Sequence, residues 1–180
     1  FKGMADGTLP QGAAAYEKRG VAISVPVWHA ENCIQCNNCA FVCPHATIRP
    51  FALTAEEAAK APAQTKFTAK PVIKTDYKFT MAISPMDCMG CTLCVKACPV
   101  TAKAEKDGTP EKKAIEMARQ ESQLDQQEVF DYMVAEVSEK PELINATVKG
   151  SQFKQPLLEF SGSCAGCAET SYARLITQLF

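Results

Sequence analysis

The sequence lacks the features that would indicate a membrane or a nucleic acid as a partner. Its apolar runs extend over only a few residues, far below the roughly 20 that cross a bilayer. Nineteen basic and twenty acidic residues leave a net charge of −1, so no positive excess favours an anionic polymer. No signal-peptide pattern is present, so we expect a cytoplasmic location and not a secreted disulfide framework.

Cysteine is the residue that stands out in this composition. The chain has one tryptophan and two histidines but ten cysteines among 180 residues. At 47% hydrophobic and 22% charged, it otherwise has the composition of a soluble folded protein. Its length predicts about one domain with extensions. The function therefore depends on what the ten cysteines do.

The cysteines form three groups, and two of these groups are copies of each other. Each copy reads C-x2-C-x2-C-x3-C-P, and every cysteine and the proline match at an offset of 55 residues. Such a match indicates an internal duplication of a short unit. The first run contains Cys33, Cys36, Cys39 and Cys43, the second contains Cys88, Cys91, Cys94 and Cys98, and Cys164 and Cys167 form a separate C-x2-C pair.

This spacing predicts two 4Fe–4S clusters. Three cysteines on one tight loop can bind three irons of one cubane, and in two-cluster proteins the fourth cysteine binds the other cluster. Two matching sets of four cysteines make this signal specific. The predicted ligands are Cys33, Cys36, Cys39 and Cys98 for cluster one, and Cys43, Cys88, Cys91 and Cys94 for cluster two.

Other uses of the cysteines are less well matched by the pattern. Zinc favours two ligand pairs a dozen or more residues apart and would leave cysteines unused in each run. Disulfides three residues apart are awkward in repeated sets. The pair Cys164 and Cys167 is not specific by itself and is compatible with half of a metal site or with a redox dithiol.

The remaining sequence predicts a mixture of short helices and strands. The best-defined helix starts at Thr54, where Glu57 completes a capping box. A long helix is predicted to follow Thr109 and Pro110, because apolar residues recur at helical spacing in its second half. The predicted elements are a helical turn over 13–18, strands over 21–27, 72–81 and 157–160, and helices over 54–60, 109–138 and from 168 onward.

Several single residues near the cysteine runs have alternative interpretations. His29 and His45 flank the first run, but each cluster already has four thiolates, so a structural or solvated role is expected. Trp28 is expected to shield a cluster by packing. Lysines around the second run could attract an acidic electron carrier, although exposed solvated lysines are the more ordinary interpretation. These lysines are Lys96, Lys103 and Lys106.

Segments beside the cysteines resemble a known family. DGTLP (6–10), AYEKRG (15–20) and VPVW (25–28) precede the first run, while KGSQF (149–153) and QPLLEFSG (155–162) precede Cys164. They resemble pyruvate:ferredoxin oxidoreductase, or pyruvate synthase, over essentially the whole chain. Departures at Ala168 and Ser171, where that family generally has Gly and Pro, weaken the likeness locally.

The resemblance implies an α+β, ferredoxin-like fold around the two clusters, with an N-terminal arm, an insertion and a C-terminal helical extension. We expect residues 1–28 to form the arm and 29–107 the two-cluster domain with its insertion over 50–85. Residues 108–150 would form the helical extension, and 151–180 the start of a thiamine-diphosphate domain. The chain would then be a piece of a longer enzyme, although its helical end over 172–180 also suits an ordinary C-terminal helix.

The family's chemistry follows from the same resemblance. Such enzymes decarboxylate pyruvate on thiamine diphosphate and Mg²⁺, pass electrons through three 4Fe–4S clusters to ferredoxin or flavodoxin, transfer the acetyl group to coenzyme A, and form homodimers. Cys164 and Cys167 would supply half of the third cluster site, and Glu169 would lie near thiamine. The family's pyrophosphate motif is absent, so these 180 residues alone are not expected to oxidise pyruvate. The alternative is a stand-alone ferredoxin-like carrier with an extra dithiol.

Overall fold

The structure, a computed structural model, describes residues 5–8, 10, 12–102 and 112–180. It is a mixture of helix and sheet, which confirms the α+β class. The strands are β1 (Ser24–Trp28), β2 (Ile48–Leu53), β3 (Lys78–Ile83), β4 (Thr101–Ala102), β5 (Lys112–Lys113) and β6 (Ile115–Arg119). The α-helices are α1 (Asn38–Phe41), α2 (Ala55–Lys60), α3 (Leu93–Ala97), α4 (Gln126–Glu136), α5 (Val148–Ser151) and α6 (Ala168–Leu179). Short 3₁₀ helices cover Ala13–Tyr16, Ala30–Asn32, Gln120–Gln123 and Pro141–Leu143.

The strands form three antiparallel pairs, which are β1 with β6, β2 with β3, and β4 with β5. In the first pair Trp28 lies opposite Ile115, and in the second Ile48 lies opposite Ile83. Helices α1 and α3 pack against each other between these pairs. None of the described helices is long and apolar enough to cross a membrane.

Two clusters of buried side chains hold the fold together. The first surrounds the cysteines and includes Trp28, Phe79, Met81 and Ile115, with the rings of Trp28 and Phe79 in an edge contact at 6.2 Å. The second joins α4 to the β2–β3 hairpin through Leu53, Phe130, Met133 and Phe160. Burying each of these larger side chains contributes roughly 1.5–3 kcal/mol.

The two cysteine loops share an unusual backbone. Gln35 and Gly90 have φ of 57° and 68°, and Asn37 and Thr92 have φ of 62° and 65°. Each pair is related by the 55-residue offset of the duplication. A left-handed conformation costs a non-glycine residue about 1–2 kcal/mol. The duplication therefore preserves a strained loop geometry as well as the cysteine spacing.

The predicted helix over 109–138 is wrong for most of its length. Thr109 and Pro110 lie outside the described residues, and the chain after them forms β5, β6 and a 3₁₀ turn before α4 starts at Gln126. Ile115 and Met117 alternate with Glu116 and Ala118, which is the period of a half-buried strand. Pairing with β1 across the core decides the outcome, because tertiary contacts override the helix preference of Ala, Glu and Met.

The other predicted elements were mostly placed correctly. The helix over 54–60 and its capping box are confirmed, since Thr54 N–H donates to Glu57 at 2.8 Å and Glu57 N–H donates to Thr54 Oγ1 at 3.2 Å. The helix from 168 onward is also confirmed, and the turn over 13–18 forms a 3₁₀ helix. The strands predicted over 21–27 and 72–81 lie later, at β1 and β3, and no strand forms over 157–160, where Phe160 has φ of 47°.

Candidate iron–sulfur centres

The first cavity is lined by cysteines from both runs. Three come from the first run and the fourth, Cys98, comes from the end of α3. The apolar wall of this cavity includes Trp28, Met81 and Ile115. The four thiols that line it belong to Cys33, Cys36, Cys39 and Cys98.

The second cavity has the reciprocal composition. Three of its cysteines come from the second run. The fourth is Cys43, which directly follows the C-cap residue of α1. The walls of this cavity include Pro26, Ile48 and Met117, and its polar groups include His45 and Thr47. Its four thiols belong to Cys43, Cys88, Cys91 and Cys94. The structure thus groups the eight cysteines in the two sets that the sequence predicts as ligands.

Burial makes these thiols costly to ionise in the absence of positive charge. It raises the pKa of Cys88 to about 11 and that of Cys94 to about 12, and it raises that of Cys39 well above its ordinary value. Neighbouring thiolates raise the pKa values of Cys39 and Cys94 further. A bound cation reverses this balance because metal ligation deprotonates a thiol outright. The donor sets therefore fit a positively charged iron–sulfur core.

Backbone amides point at equivalent sulfurs in the two loops. Gln35 N–H donates to Cys33 Sγ at 3.4 Å, and Gly90 N–H donates to Cys88 Sγ at 3.4 Å. Thr47 Oγ1 lies 3.5 Å from Cys43 Sγ in the second cavity. Hydrogen bonds to the sulfurs are one of the means by which a protein sets the reduction potential of an iron–sulfur centre.

The indole of Trp28 contributes a donor to the first cavity alone. Its Nε1–H is buried and has no hydrogen-bond acceptor at normal geometry among the described residues. Burial raises the pKa of the Cys33 thiol, while the N–H of Gln35 and the indole of Trp28 lower it. A buried donor without an acceptor is costly, so this N–H fits a cavity that holds sulfide or thiolate.

The C-x2-C pair lies beside the second cavity. A Cβ placed on Gly166 would be 3.6 Å from Cys91 Cβ and 3.7 Å from Leu93 Cδ1. Cys164 is exposed and Cys167 is half-buried at the start of α6. The backbone and side-chain hydrogen bonds from Thr170 lower the pKa of Cys167.

His45 bridges the second cavity and this loop, a role that the sequence did not reveal. Its Nε2 lies 3.2 Å from the Cys164 carbonyl and its Nδ1 lies 3.0 Å from Ser161 Oγ. The carbonyl only accepts, so Nε2–H donates to it, and the neutral ring accepts from Ser161 at Nδ1. The side chain is 2% exposed, and burial lowers its pKa, which favours that neutral form.

The remaining predicted residues lie outside the two cavities. Glu169 is exposed in the first turn of α6, and His29 Nε2 lies 2.9 Å from Glu116. Lys96 is exposed on α3, whereas Lys103 and Lys106 fall outside the described residues. All ten cysteines are free of disulfides. Within the described ranges, no three His, Cys, Asp or Glu side chains are arranged around a single metal ion.

Comparisons with known proteins give the same picture. The family model of the 4Fe-4S dicluster domain matches residues 32–102. The chain is 51% identical over 181 residues to the pyruvate-flavodoxin oxidoreductase of Klebsiella pneumoniae, which covers 100% of this chain and 14% of that protein. It is 46% identical over 179 residues to the pyruvate:ferredoxin oxidoreductase of Moorella thermoacetica, covering 97% of this chain and 14% of that protein.

A third relative belongs to a differently named enzyme. The chain is 42% identical over 179 residues to the pyruvate dehydrogenase (NADP⁺) of Cryptosporidium parvum, with 97% of this chain and 8% of that protein covered. The chain thus spans about a seventh, or less, of the length of these curated relatives. Through residues 32–102 it contains a 4Fe-4S dicluster domain. Over essentially its whole length, the chain is similar to one segment of the pyruvate:ferredoxin and pyruvate-flavodoxin oxidoreductases.

Proposed function

We propose that each four-cysteine cavity holds one 4Fe–4S cluster and that the pair carries electrons one at a time. Cluster one would be held by Cys33, Cys36, Cys39 and Cys98, and cluster two by Cys43, Cys88, Cys91 and Cys94. The observation that carries this proposal is the exchange of the fourth cysteine between the runs in both cavities. Helices α1 and α3 are in contact. Each exchanged cysteine would link these two helices through a cluster, which would keep the two clusters close together.

The protein contributes three things to this chemistry. When bound, each cluster supplies a one-electron couple without proton transfer. The buried thiols supply its ligands, the amides of Gln35 and Gly90 donate to those ligands, and the apolar walls exclude water. Exclusion of water and hydrogen bonds to sulfur tune the potential of such centres.

Cys164 and Cys167 are proposed as half of a third cluster site. The contact of Gly166 with Cys91 supports this assignment, because it puts the pair next to the second cavity. Electrons would then pass from the third site to cluster two and on to cluster one. The alternative, a redox dithiol in a stand-alone carrier, is not favoured by relatives in which this segment is part of a far longer protein.

The names of the relatives suggest the larger reaction. We propose that the chain serves an enzyme that oxidises pyruvate to acetyl-coenzyme A, with ferredoxin or flavodoxin as acceptor. Thiamine diphosphate, Mg²⁺ and a third cluster would act there, with Glu169 near thiamine, and the whole enzyme would be a homodimer. The domain division predicted from the sequence stays part of this proposal. So does a cytoplasmic location, because a reducing compartment preserves cysteine thiols.

The first experiment is to count iron and acid-labile sulfide per chain after anaerobic reconstitution. About eight of each, with a broad absorption near 400 nm, is expected for two cubanes, since each contains four irons and four sulfides. Zinc without sulfide would contradict electron transfer and leave a structural metal module. About ten irons per chain would mean that two chains share a third cluster through Cys164 and Cys167, because its four irons are then divided between two chains. A thiol–disulfide exchange assay on the same sample tests the dithiol alternative.

A further inference from the structure

A wide groove opens beside the first cavity. It measures about 630 Å³, and its two walls are residues 30–35 and 68–75. Cys33 lines both this groove and the first cavity, so one thiol joins the buried site to the surface. The groove therefore adjoins the proposed cluster one, on the side away from the chain's interior.

The walls of the groove are held in place by specific contacts. The side chain of Gln35 is 6% exposed, and its Nε2 donates to Thr68 Oγ1 and to the Lys70 carbonyl, both at 2.9 Å. Val72 is 2% exposed and its N–H donates to the Tyr77 carbonyl at 2.9 Å. These contacts make the groove a preformed surface, which is the kind that binds a partner with little loss of entropy.

The rim combines exposed apolar groups with positive charge. Ile34 is 61% exposed and Ile73 is 71% exposed, one on each wall. Lys70 and Lys74 are exposed on the second wall, and Glu31 is exposed on the first. Residues 68–75, which form the second wall, contain two lysines and no acidic residue, a charge of +2, whereas the whole chain has −1. Positive charge is thus concentrated on one wall of the groove.

We propose that this groove is the docking surface for a small acidic one-electron carrier protein. Opposite charges would raise the rate of encounter, and the two isoleucines would provide a small desolvated contact of the kind used in transient redox complexes. The proposal rests on the proposed function, because the electron it delivers comes from cluster one. Cluster one would lose one electron and be oxidised. The carrier's iron centre would gain that electron and be reduced, and no proton would be transferred.

The test uses the reconstituted 180-residue chain and an acidic plant-type 2Fe–2S ferredoxin as the probe. The chain is reduced, freed of reductant and mixed with the oxidised ferredoxin in a stopped-flow spectrometer at several salt concentrations. The double variant Lys70→Glu/Lys74→Glu is compared with Lys60→Glu/Arg119→Glu, which makes the same change of charge at two exposed residues that do not line the groove. Ile73→Ser probes the apolar contact without a change of charge.

We expect the groove double variant to lower the second-order rate constant on the order of tenfold at low salt. The difference should shrink at high salt, where surface charges are screened. Ile73→Ser should slow transfer at every salt concentration, and the control should stay within about twofold of the wild type. Transfer to a small neutral acceptor should be the same in all variants.

An unchanged rate in both groove variants would overturn the docking proposal, as would a larger loss in the control than in the groove variant. Iron and sulfide counts on the same samples separate this result from a failure of the proposed function. A chain that takes up no iron and sulfide contradicts the two-cluster assignment itself. A loaded chain that transfers electrons without regard to Lys70, Lys74 and Ile73 contradicts only the groove.

Discussion

The two cysteine cavities are copies in their ligands but differ in what surrounds them. Positions related by the 55-residue offset share the left-handed backbone and the amide–sulfur contacts. Other positions related by this offset carry different residues. Trp28 corresponds to Ile83, and Val100, which lines the first cavity, corresponds to His45, which lines the second. The duplication therefore preserves the means of binding a cluster, while unequal neighbours distinguish the two centres.

If each cavity holds a cluster as proposed, these unequal neighbours would give electron transfer between the two clusters a direction. The second cavity meets the Cys164–Cys167 loop through His45 and Cys91, whereas the first cavity meets an open groove through Cys33. A symmetric pair of centres could exchange electrons with either side. Here one centre lies next to another cysteine site and the other lies next to the surface, which suits entry at the second and exit at the first.

The largest expected effect tests the exchange of ligands directly. Each single cysteine-to-serine variant should lose one cluster, leaving about four irons of about eight. The double variant Cys39→Ser/Cys98→Ser should still retain about four, because both thiols line the first cavity. Cys94→Ser/Cys98→Ser, from one run but two cavities, should retain almost none. Iron and sulfide assays on reconstituted protein measure all of these.

The opposite pattern would refute the exchange. If Cys94→Ser/Cys98→Ser keeps half of the iron while Cys39→Ser/Cys98→Ser loses nearly all of it, each run binds its own cluster. The two double variants remove the same number of thiols, so each serves as the control for the other. Circular dichroism in the far ultraviolet would show whether the chain stays folded.

The next largest effect is a change in the free energy of unfolding, and it involves helix α2, which lies outside the duplicated loops. Burial raises the pKa of Glu57, but hydrogen bonds from Thr54, Lys140 and Ser138 outweigh it and lower the pKa to about 2. Lys140 Nζ lies 3.0 Å from Glu57 Oε1, and its side chain is 8% exposed. Glu57→Gln should cost about 2 kcal/mol at pH 7, because it leaves a buried ammonium group without its carboxylate. Denaturant unfolding measures this loss.

The same pKa fixes the sign of the pH dependence. A carboxylate whose folded pKa lies below its ordinary value of 4.5 stabilises the protein at neutral pH, and this contribution is lost as the pH falls. The difference between wild type and Glu57→Gln should stay constant from pH 8 to about pH 5 and narrow below that. Glu56→Gln, one residue earlier and exposed, is the matched control. A difference that does not narrow would contradict the ion pair's role.

The grouping of the cysteines around two cavities could be predicted from the sequence, whereas the binding of clusters by these groups stays a prediction. The local spacing identifies the three cysteines of each loop, and the known pattern of two-cluster proteins indicates that the fourth comes from the other run. The capping box at Thr54 was predictable for the same reason, since it involves residues only three apart. Features decided within a few residues of the chain were therefore found.

Features that depend on distant partners were missed. Ile115–Arg119 forms a strand because it pairs with Ser24–Trp28, which lies about 90 residues earlier. His45 reaches the Cys164 loop across 119 positions, and the groove needs residues 30–35 and 68–75 together. No pattern of spacing within either segment reveals such contacts. The fold class and the cysteine sets were predictable, while the neighbours that distinguish the two cavities were not.

His45→Phe should loosen the link between the second cavity and the C-x2-C loop. A planar aromatic ring is kept, but the hydrogen bonds with Cys164 and Ser161 are lost. Loss of about 1.4 kcal/mol of local stability would make amide exchange over residues 161–167 about tenfold faster. Hydrogen–deuterium exchange measures this, with the iron content expected to stay at about eight. Val100→Ala, at the corresponding position of the first cavity, should leave exchange over 161–167 unchanged; an equal effect would contradict the link.

The smallest expected effect is a shift in the reduction potential of cluster one with no shift in that of cluster two. Trp28→Phe keeps an aromatic ring against Phe79 but removes the one indole N–H, and Trp28 lines the first cavity and not the second. A donor to sulfur stabilises the more negative reduced state, so its removal should lower the potential of cluster one. A hydrogen bond of about 1 kcal/mol corresponds to roughly 40 mV for one electron. A redox titration followed by electron paramagnetic resonance should show one potential shifted and the other unchanged, whereas equal shifts in both would mean that Trp28 acts through packing.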